Sequence, residues 1–167
     1  MIHVKELSGG PLVRYRTEIR AGLISLAVPV IVVGGWALIA PHSFYDDFPI
    51  NSAHWISGLG PYQEHLVRDF GSLYLALGLL LVLGAVVLDR LLVGAVLAVS
   101  LVFQVPHFIF HATNTEPFST ANNVVNLVTL GAGVVLTVML LGMVSRASAQ
   151  PRPEPQPTEG GITYDTR

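Results

Sequence analysis

The sequence contains no cysteine and little charge. Without a thiol, the chain has no means to form a disulfide, to bind a metal through thiolates or to run a thiol relay. Only 12% of its 167 residues are charged, whereas 51% are hydrophobic, and the mean hydropathy is +0.59. Soluble domains carry about 25% charged residues. The composition therefore predicts an integral membrane protein.

Basic residues are also scarce, and no stripe of them alternates with aromatic residues. The net charge of −2 is the difference between 9 basic and 11 acidic side chains. A nucleic-acid-binding surface needs a concentrated positive field. We therefore predict no nucleic-acid partner. The predicted partners are the lipid bilayer and other membrane proteins.

Four apolar runs are long enough to cross a bilayer, which takes about 20 helical residues. They cover residues 21–40, 70–88, 91–111 and 123–144. The charged pair Asp89-Arg90 separates the second run from the third and predicts a tight hairpin there. The predicted fold class is all-α, an integral membrane four-helix bundle over residues 21–144. Residues 1–20 are predicted to form an N-terminal segment, and residues 145–167, which include PRPEPQP, a disordered Pro-rich tail.

Basic residues concentrate at both termini and in the second loop, and none lies in the first or third loop. The positive-inside rule therefore predicts that both termini are cytoplasmic and that loops 41–63 and 112–122 face outward. A secretory signal also begins with basic residues before an apolar run. The first run is about 20 residues rather than the 7 to 15 of a signal peptide, so we expect a retained first span.

Two histidines interrupt the apolar third run, in the segment FQVPHFIFHATN at residues 103–114. Ser100, Gln104, His107 and His111 are spaced by 4, 3 and 4 residues, which places them on one helical face. A polar side chain that faces lipid without a partner costs several kcal/mol, on the order of 2 to 7. This polar face is therefore predicted to point into the bundle.

The second and fourth helices carry polar faces of their own. The second helix is predicted to begin at Gly60-Pro61, because proline is favoured in a first turn. Behind it, Glu64 and Arg68 form one i,i+4 pair, and His65 and Asp69 form another. On the fourth helix the polar or small residues of one face are Asn122, Asn126, Thr129, Gly133 and Thr137. The three polar faces predict a hydrated, outward-facing pocket.

The first loop contributes aromatic residues to the same side of the membrane. Phe44, Tyr45, Phe48 and Trp55 could fold over the pocket as a lid. The alternative, an aromatic belt at the lipid headgroups, is favoured because aromatic residues gather at that depth for lipid reasons alone.

Three interpretations of the pocket remain open. In the first, Arg68 fixes an anionic or carbonyl group of a small ligand, and a His-Asp pair moves or stores a proton. In the second, the polar groups form an interhelical clasp in an accessory subunit. In the third, His65, His107 and His111 bind a metal ion or a haem. Catalysis is not favoured, because no nucleophile motif, phosphate loop or HExxH is present. The candidate site residues are Glu64, His65, Arg68, Asp69, Gln104, His107, His111, Asn122 and Asn126.

The segments EHLVRDFGSLYLALG and VPHFIFH give the chain a resemblance to small four-span bacterial membrane proteins, loosely DoxX-like, over about residues 44–144. The resemblance implies a compact four-helix bundle in the bacterial inner membrane. It points to Glu64, His65, Arg68, Asp69, His107 and His111 as the family-like positions. It implies no reaction, since function does not follow from fold.

Overall fold

The computed structural model describes residue 12 and residues 15–50, 54–116 and 118–148. Among these residues the chain is helical and has no strand, which confirms the predicted all-α class. Five α-helices follow one another, with a 3₁₀ turn at Ser57–Leu59 between the second and the third. The helices are α1 (Arg16–Ile39), α2 (Pro41–Asp47), α3 (Glu64–Val87), α4 (Arg90–Thr113) and α5 (Thr120–Ser148).

Helices α1, α3, α4 and α5 are each long and apolar enough to cross a membrane, as a multi-pass membrane protein requires. Each has at least 24 residues, and a helix of that length spans about 36 Å against a hydrocarbon core of about 30 Å. The four predicted apolar runs lie almost entirely within these helices. Helix α5 continues to residue 148, so the first four residues of the predicted tail are helical. The rest of the tail and residues 1–11 lie outside the described residues.

Leu12, Leu88 and Val144 share one apolar cluster. The N-terminal segment, the C-terminal part of α5 and the α3–α4 hairpin therefore lie at the same end of the bundle. We call this the terminal end. Asp89 caps α4 by accepting hydrogen bonds from the backbone N–H groups of Leu91 and Leu92, both at 3.0 Å. The cap confirms the predicted hairpin. The opposite end, where residues 40–63 and 114–119 connect the helices, is called the long-loop end.

Helices α1 and α3 form the closest pair in the bundle. A Cβ atom added to Gly34 would lie 2.6 Å from the backbone nitrogen of Leu75, and one added to Gly71 would lie 2.6 Å from that of Leu38. Neither position has room for a side chain. Small residues at such a crossing let two backbones approach closely, which is a common way for membrane helices to associate.

Helix α4 packs mainly against α5 and less extensively against α3. Between α3 and α4 lies an apolar groove of about 470 Å³. Its walls include Phe70, Tyr74 and Leu77 on α3, and Val102 and Phe103 on α4. Leu73 and Val102 are largely exposed at this face, as expected for side chains in contact with lipid.

Helix α3 begins at Glu64 and not at Gly60-Pro61 as predicted. Gln63 precedes it in an extended conformation, with φ −134° and ψ 101°. Residues 61–63 form no regular structure, and their extended path carries the chain from the 3₁₀ turn to the start of α3. The pairs Glu64–Arg68 and His65–Asp69 therefore occupy the first two turns of α3, at the long-loop end.

Candidate functional site

The charged residues of α3 form the two predicted i,i+4 pairs. Arg68 Nη2 lies 2.8 Å from Glu64 Oε1, and His65 Nε2 lies 3.2 Å from Asp69 Oδ2. The His65 side chain is 93% exposed, and that of Asp69 is 56% exposed. These groups therefore stay hydrated at the edge of the bundle. None of them faces the interior of the bundle, whereas the sequence analysis predicted that they would line the pocket.

Arg68 also reaches the neighbouring helix. Its Nη1 donates to the backbone carbonyl of Leu38, near the C-terminus of α1, at 2.5 Å. The last carbonyls of a helix lack partners within the helix and carry partial negative charge, so a guanidinium stabilises them. Arg68 thus connects the two most closely packed helices at the long-loop end. Beside this cluster, partial removal from water and the charge of Glu64 raise the pKa of Tyr62 above its ordinary value.

The polar face of α4 points into the bundle, as predicted from its spacing. Ser100 and His111 are buried, and Gln104 and His107 are partly buried. The Ser100 hydroxyl donates to the Val96 carbonyl of its own helix at 2.8 Å. Gln104 Oε1 accepts a hydrogen bond from the hydroxyl of the buried Thr137 on α5, at 3.0 Å. This bond joins α4 to α5, although the predicted clasp had paired Gln104 with the histidines and not with Thr137.

A cavity of about 230 Å³ lies beside His107 and His111, near the long-loop end. Residues from five segments surround it: α1, the first loop with α2, α3, α4 and α5. Asn126 and Thr129 of α5 complete its polar part together with the two histidines. The cavity therefore collects three of the predicted site residues, namely His107, His111 and Asn126. Asn122 and the charged residues of α3 do not line it.

The first loop covers this cavity with aromatic side chains. Phe44 is only 2% exposed, and it packs against Phe48, with ring centroids 4.9 Å apart, and against Phe70 of α3 at 6.0 Å. Phe48 contacts Trp55 edge to face at 6.1 Å. Phe44, Phe48 and Trp55 line the cavity, so they form the lid that the sequence analysis placed second to an aromatic belt. Residues 51–53 of this loop lie outside the described part of the chain.

Two wall residues from α3 were missed by the sequence analysis. Phe70 and Tyr74 line the cavity and stack on each other with ring centroids 4.9 Å apart. Tyr74 lies 5.1 Å from Phe103, and Phe103 stacks on His107 at 5.0 Å. The two aromatic residues of FGSLY are spaced i,i+4, and this spacing could have indicated that they share one face of the helix.

Thr129 donates its hydroxyl to the Val125 carbonyl at 2.8 Å, whereas several other polar groups of the cavity wall have no hydrogen-bond partner within the described part of the chain. Neither the imidazoles of His107 and His111 nor the amide of Asn126 bonds to a described residue. The Trp55 Nε1 atom is buried in the same wall and also has no partner there. Buried polar groups in folded proteins usually have partners, so these groups are available to bond water or a ligand in the cavity.

The predicted histidine ligands are poorly placed to bind one metal ion or one haem together. His107 and His111 lie one turn apart on one helix, with ring centroids separated by 4.7 Å, so they cannot hold opposite faces of one haem iron. His65 pairs with Asp69 on the exposed edge of α3. Across the described ranges, no group of three or more His, Cys, Asp or Glu side chains is placed to bind a metal. The two histidines would need further ligands from outside the described residues.

No protein-family model matches the chain, and comparison with curated proteins and with solved structures gives no significant match. The resemblance to DoxX-like proteins therefore stays a prediction from the sequence, as does bacterial origin.

Proposed function

We propose that the protein is a multi-pass protein of the bacterial inner membrane that binds a small ligand in the cavity beside His107 and His111. In this proposal the long-loop end faces outward, and the protein acts through binding, alone or as an accessory subunit, and not through catalysis. The observation that carries the proposal is the partly enclosed cavity, in which unpaired polar groups meet an aromatic lid. Enclosed, mostly apolar pockets with a few convergent polar groups are typical small-molecule sites.

The position of the charged cluster supports binding of a ligand without net charge. Arg68 was the predicted anchor for an anionic or carbonyl group, but its guanidinium is held by Glu64 and the Leu38 carbonyl outside the cavity. The His65–Asp69 pair, the predicted proton store, is exposed as well. The ligand site is therefore proposed at His107, His111 and Asn126, with the charged residues stabilising the helix ends around it.

The native ligand can be sought directly. The untagged protein is purified from its own membrane in mild detergent, and the small molecules released on denaturation are identified by mass spectrometry. Leu130→Trp adds a large ring to the cavity wall, and we expect it to abolish the release of one compound that the wild type retains. Leu83→Trp makes the same exchange on an exposed face of α3 and serves as the control.

The same preparation tests the alternatives. Identical released molecules from wild type, Leu130→Trp and Leu83→Trp would contradict the proposed cavity function. Stoichiometric metal or a haem spectrum, lost in His107→Ala and in His111→Ala, would establish the metal or haem interpretation instead.

A further inference from the structure

Two polar side chains of the cavity wall are free to bond an occupant of the cavity. Asn126 is 7% exposed and His111 is 9% exposed, and both line the cavity without a hydrogen bond to a described residue. An amide or an imidazole removed from water is stabilised only if its donors and acceptors are paired. The occupant of the cavity should therefore carry a hydrogen-bonding group at the end near Asn126 and His111.

Aromatic rings make up much of the apolar wall. Phe44, Phe48, Trp55, Phe70 and Tyr74 line it together with aliphatic side chains, mainly from α1. Ring pairs of both kinds already occur within this wall, because Phe70 stacks on Tyr74 with an interplanar angle of 28° and Phe48 meets Trp55 at 75°. Stacked and edge-to-face pairs are the preferred arrangements between rings. A planar ring would make both kinds of contact with these walls.

Size and charge restrict the occupant further. A cavity of about 150 Å³ accepts benzene, so the 230 Å³ available here suits a single ring with a small substituent. No Asp, Glu, Lys or Arg side chain of the described ranges lines the cavity. A ligand with a net charge would lose its hydration without gaining a fixed counter-charge, which is strongly unfavourable.

We infer that the cavity binds uncharged single-ring compounds that carry a hydrogen-bond acceptor, with the ring against the aromatic lid and the acceptor at Asn126 and His111. This inference rests on the proposed function and names its ligand class. The Asn126 amide donates to the acceptor, and an imidazole N–H adds a second donor.

Fluorescence can follow binding, since the chain has only two tryptophans and Trp55 lies in the cavity wall. Trp36→Phe leaves Trp55 as the single indole and keeps a ring in the cluster that Trp36 shares with Phe44. The probes are acetophenone, α-methylstyrene, in which a methylene group replaces the carbonyl oxygen, and benzoate. Their free concentrations are corrected for uptake into the detergent.

We expect saturable binding of acetophenone, about tenfold tighter than that of α-methylstyrene, because one buried hydrogen bond is worth about that factor. The preference should disappear in Asn126→Leu, and should persist in Asn122→Leu, a matched change outside the cavity. Should Asn126→Leu not fold, Asn126→Ala, which also removes the amide donor, replaces it.

Equal binding of acetophenone and α-methylstyrene, or tighter binding of benzoate, would overturn the ligand class and leave the cavity as a binding site. Failure of every probe to bind would also overturn the class. The proposed function is judged separately, by the release experiment, which does not depend on these probes.

Discussion

Arg68 connects α3 with α1 at the long-loop end. Its guanidinium bonds Glu64 within α3 and the Leu38 carbonyl of α1. A planar guanidinium can serve both acceptors at once, whereas an ammonium presents one compact charge. Since the side chains of Arg68 and Glu64 are about half exposed, water screens the ion pair and limits its contribution to stability.

Replacement of Arg68 by alanine is expected to lower the free energy of unfolding by roughly 1 kcal/mol, because one exposed ion pair and one helix-capping bond are lost. Arg68→Lys should recover only part of this difference. The measurement is thermal unfolding in detergent. His65→Ala, which breaks the more exposed neighbouring pair, is the control and should change stability by less than about 0.5 kcal/mol. A larger effect for His65→Ala than for Arg68→Ala would contradict this role for Arg68.

Among the helices, the α1–α3 crossing sets the geometry around the cavity. Gly34 and Gly71 lie against each other's helix, and a Cβ on either would also approach the opposing glycine carbonyl to 2.9 Å. The neighbouring Gly35 has nothing within 4 Å of an added Cβ. Two adjacent glycines in one helix therefore have different roles, since only one of them faces the partner helix.

Gly34→Ala is expected to destabilise the protein by about 1 to 3 kcal/mol, because the added methyl group meets backbone atoms that cannot rotate away. Gly35→Ala should be neutral or stabilise by up to about 1 kcal/mol, since alanine is the better helix former. Both variants are compared by thermal unfolding in the same detergent. Equal melting temperatures for the two variants would show that the helices do not cross at Gly34.

For the molecule as a whole, the distribution of basic residues remains the basis for the orientation. Arg20 and Arg90 lie at the terminal end, and Arg20 Nε donates to the Ala85 carbonyl there. The long-loop end carries the cavity and only one basic residue among its described residues, Arg68. Cytoplasmic termini would therefore place the cavity toward the outside of the cell.

Reporter fusions test this orientation. Fusions after Arg90 and after Arg146 are expected to report a cytoplasmic position, and fusions near Ser57 and Thr115 an external one. A fusion after residue 20 provides the internal reference. An external reporter after Arg146 would reverse the orientation and place the cavity on the cytoplasmic side.

Local features of this protein could be predicted from its sequence because they depend on neighbours in the chain. The four long helices follow from apolar length, and the Asp89 cap follows from a charged pair between two apolar runs. The Glu64–Arg68 and His65–Asp69 pairs need only helical spacing. The inward face of α4 follows from the cost of polar groups in lipid. Each of these features involves a single helix or turn.

Contacts between distant segments required the tertiary structure. Because each residue advances a helix by about 100°, periodicity shows which residues of α3 share a face. It shows neither where α3 begins nor which face is turned toward the other helices. The close contact of Gly34 and Gly71 fixes the rotation of α3 against α1. In this rotation the charged residues between Glu64 and Asp69 lie at the edge of the bundle, and Phe70 and Tyr74 line the same cavity as His107. The lid depends in the same way on the path of the first loop, which folds Phe44 over the cavity through contacts with α1 and α3.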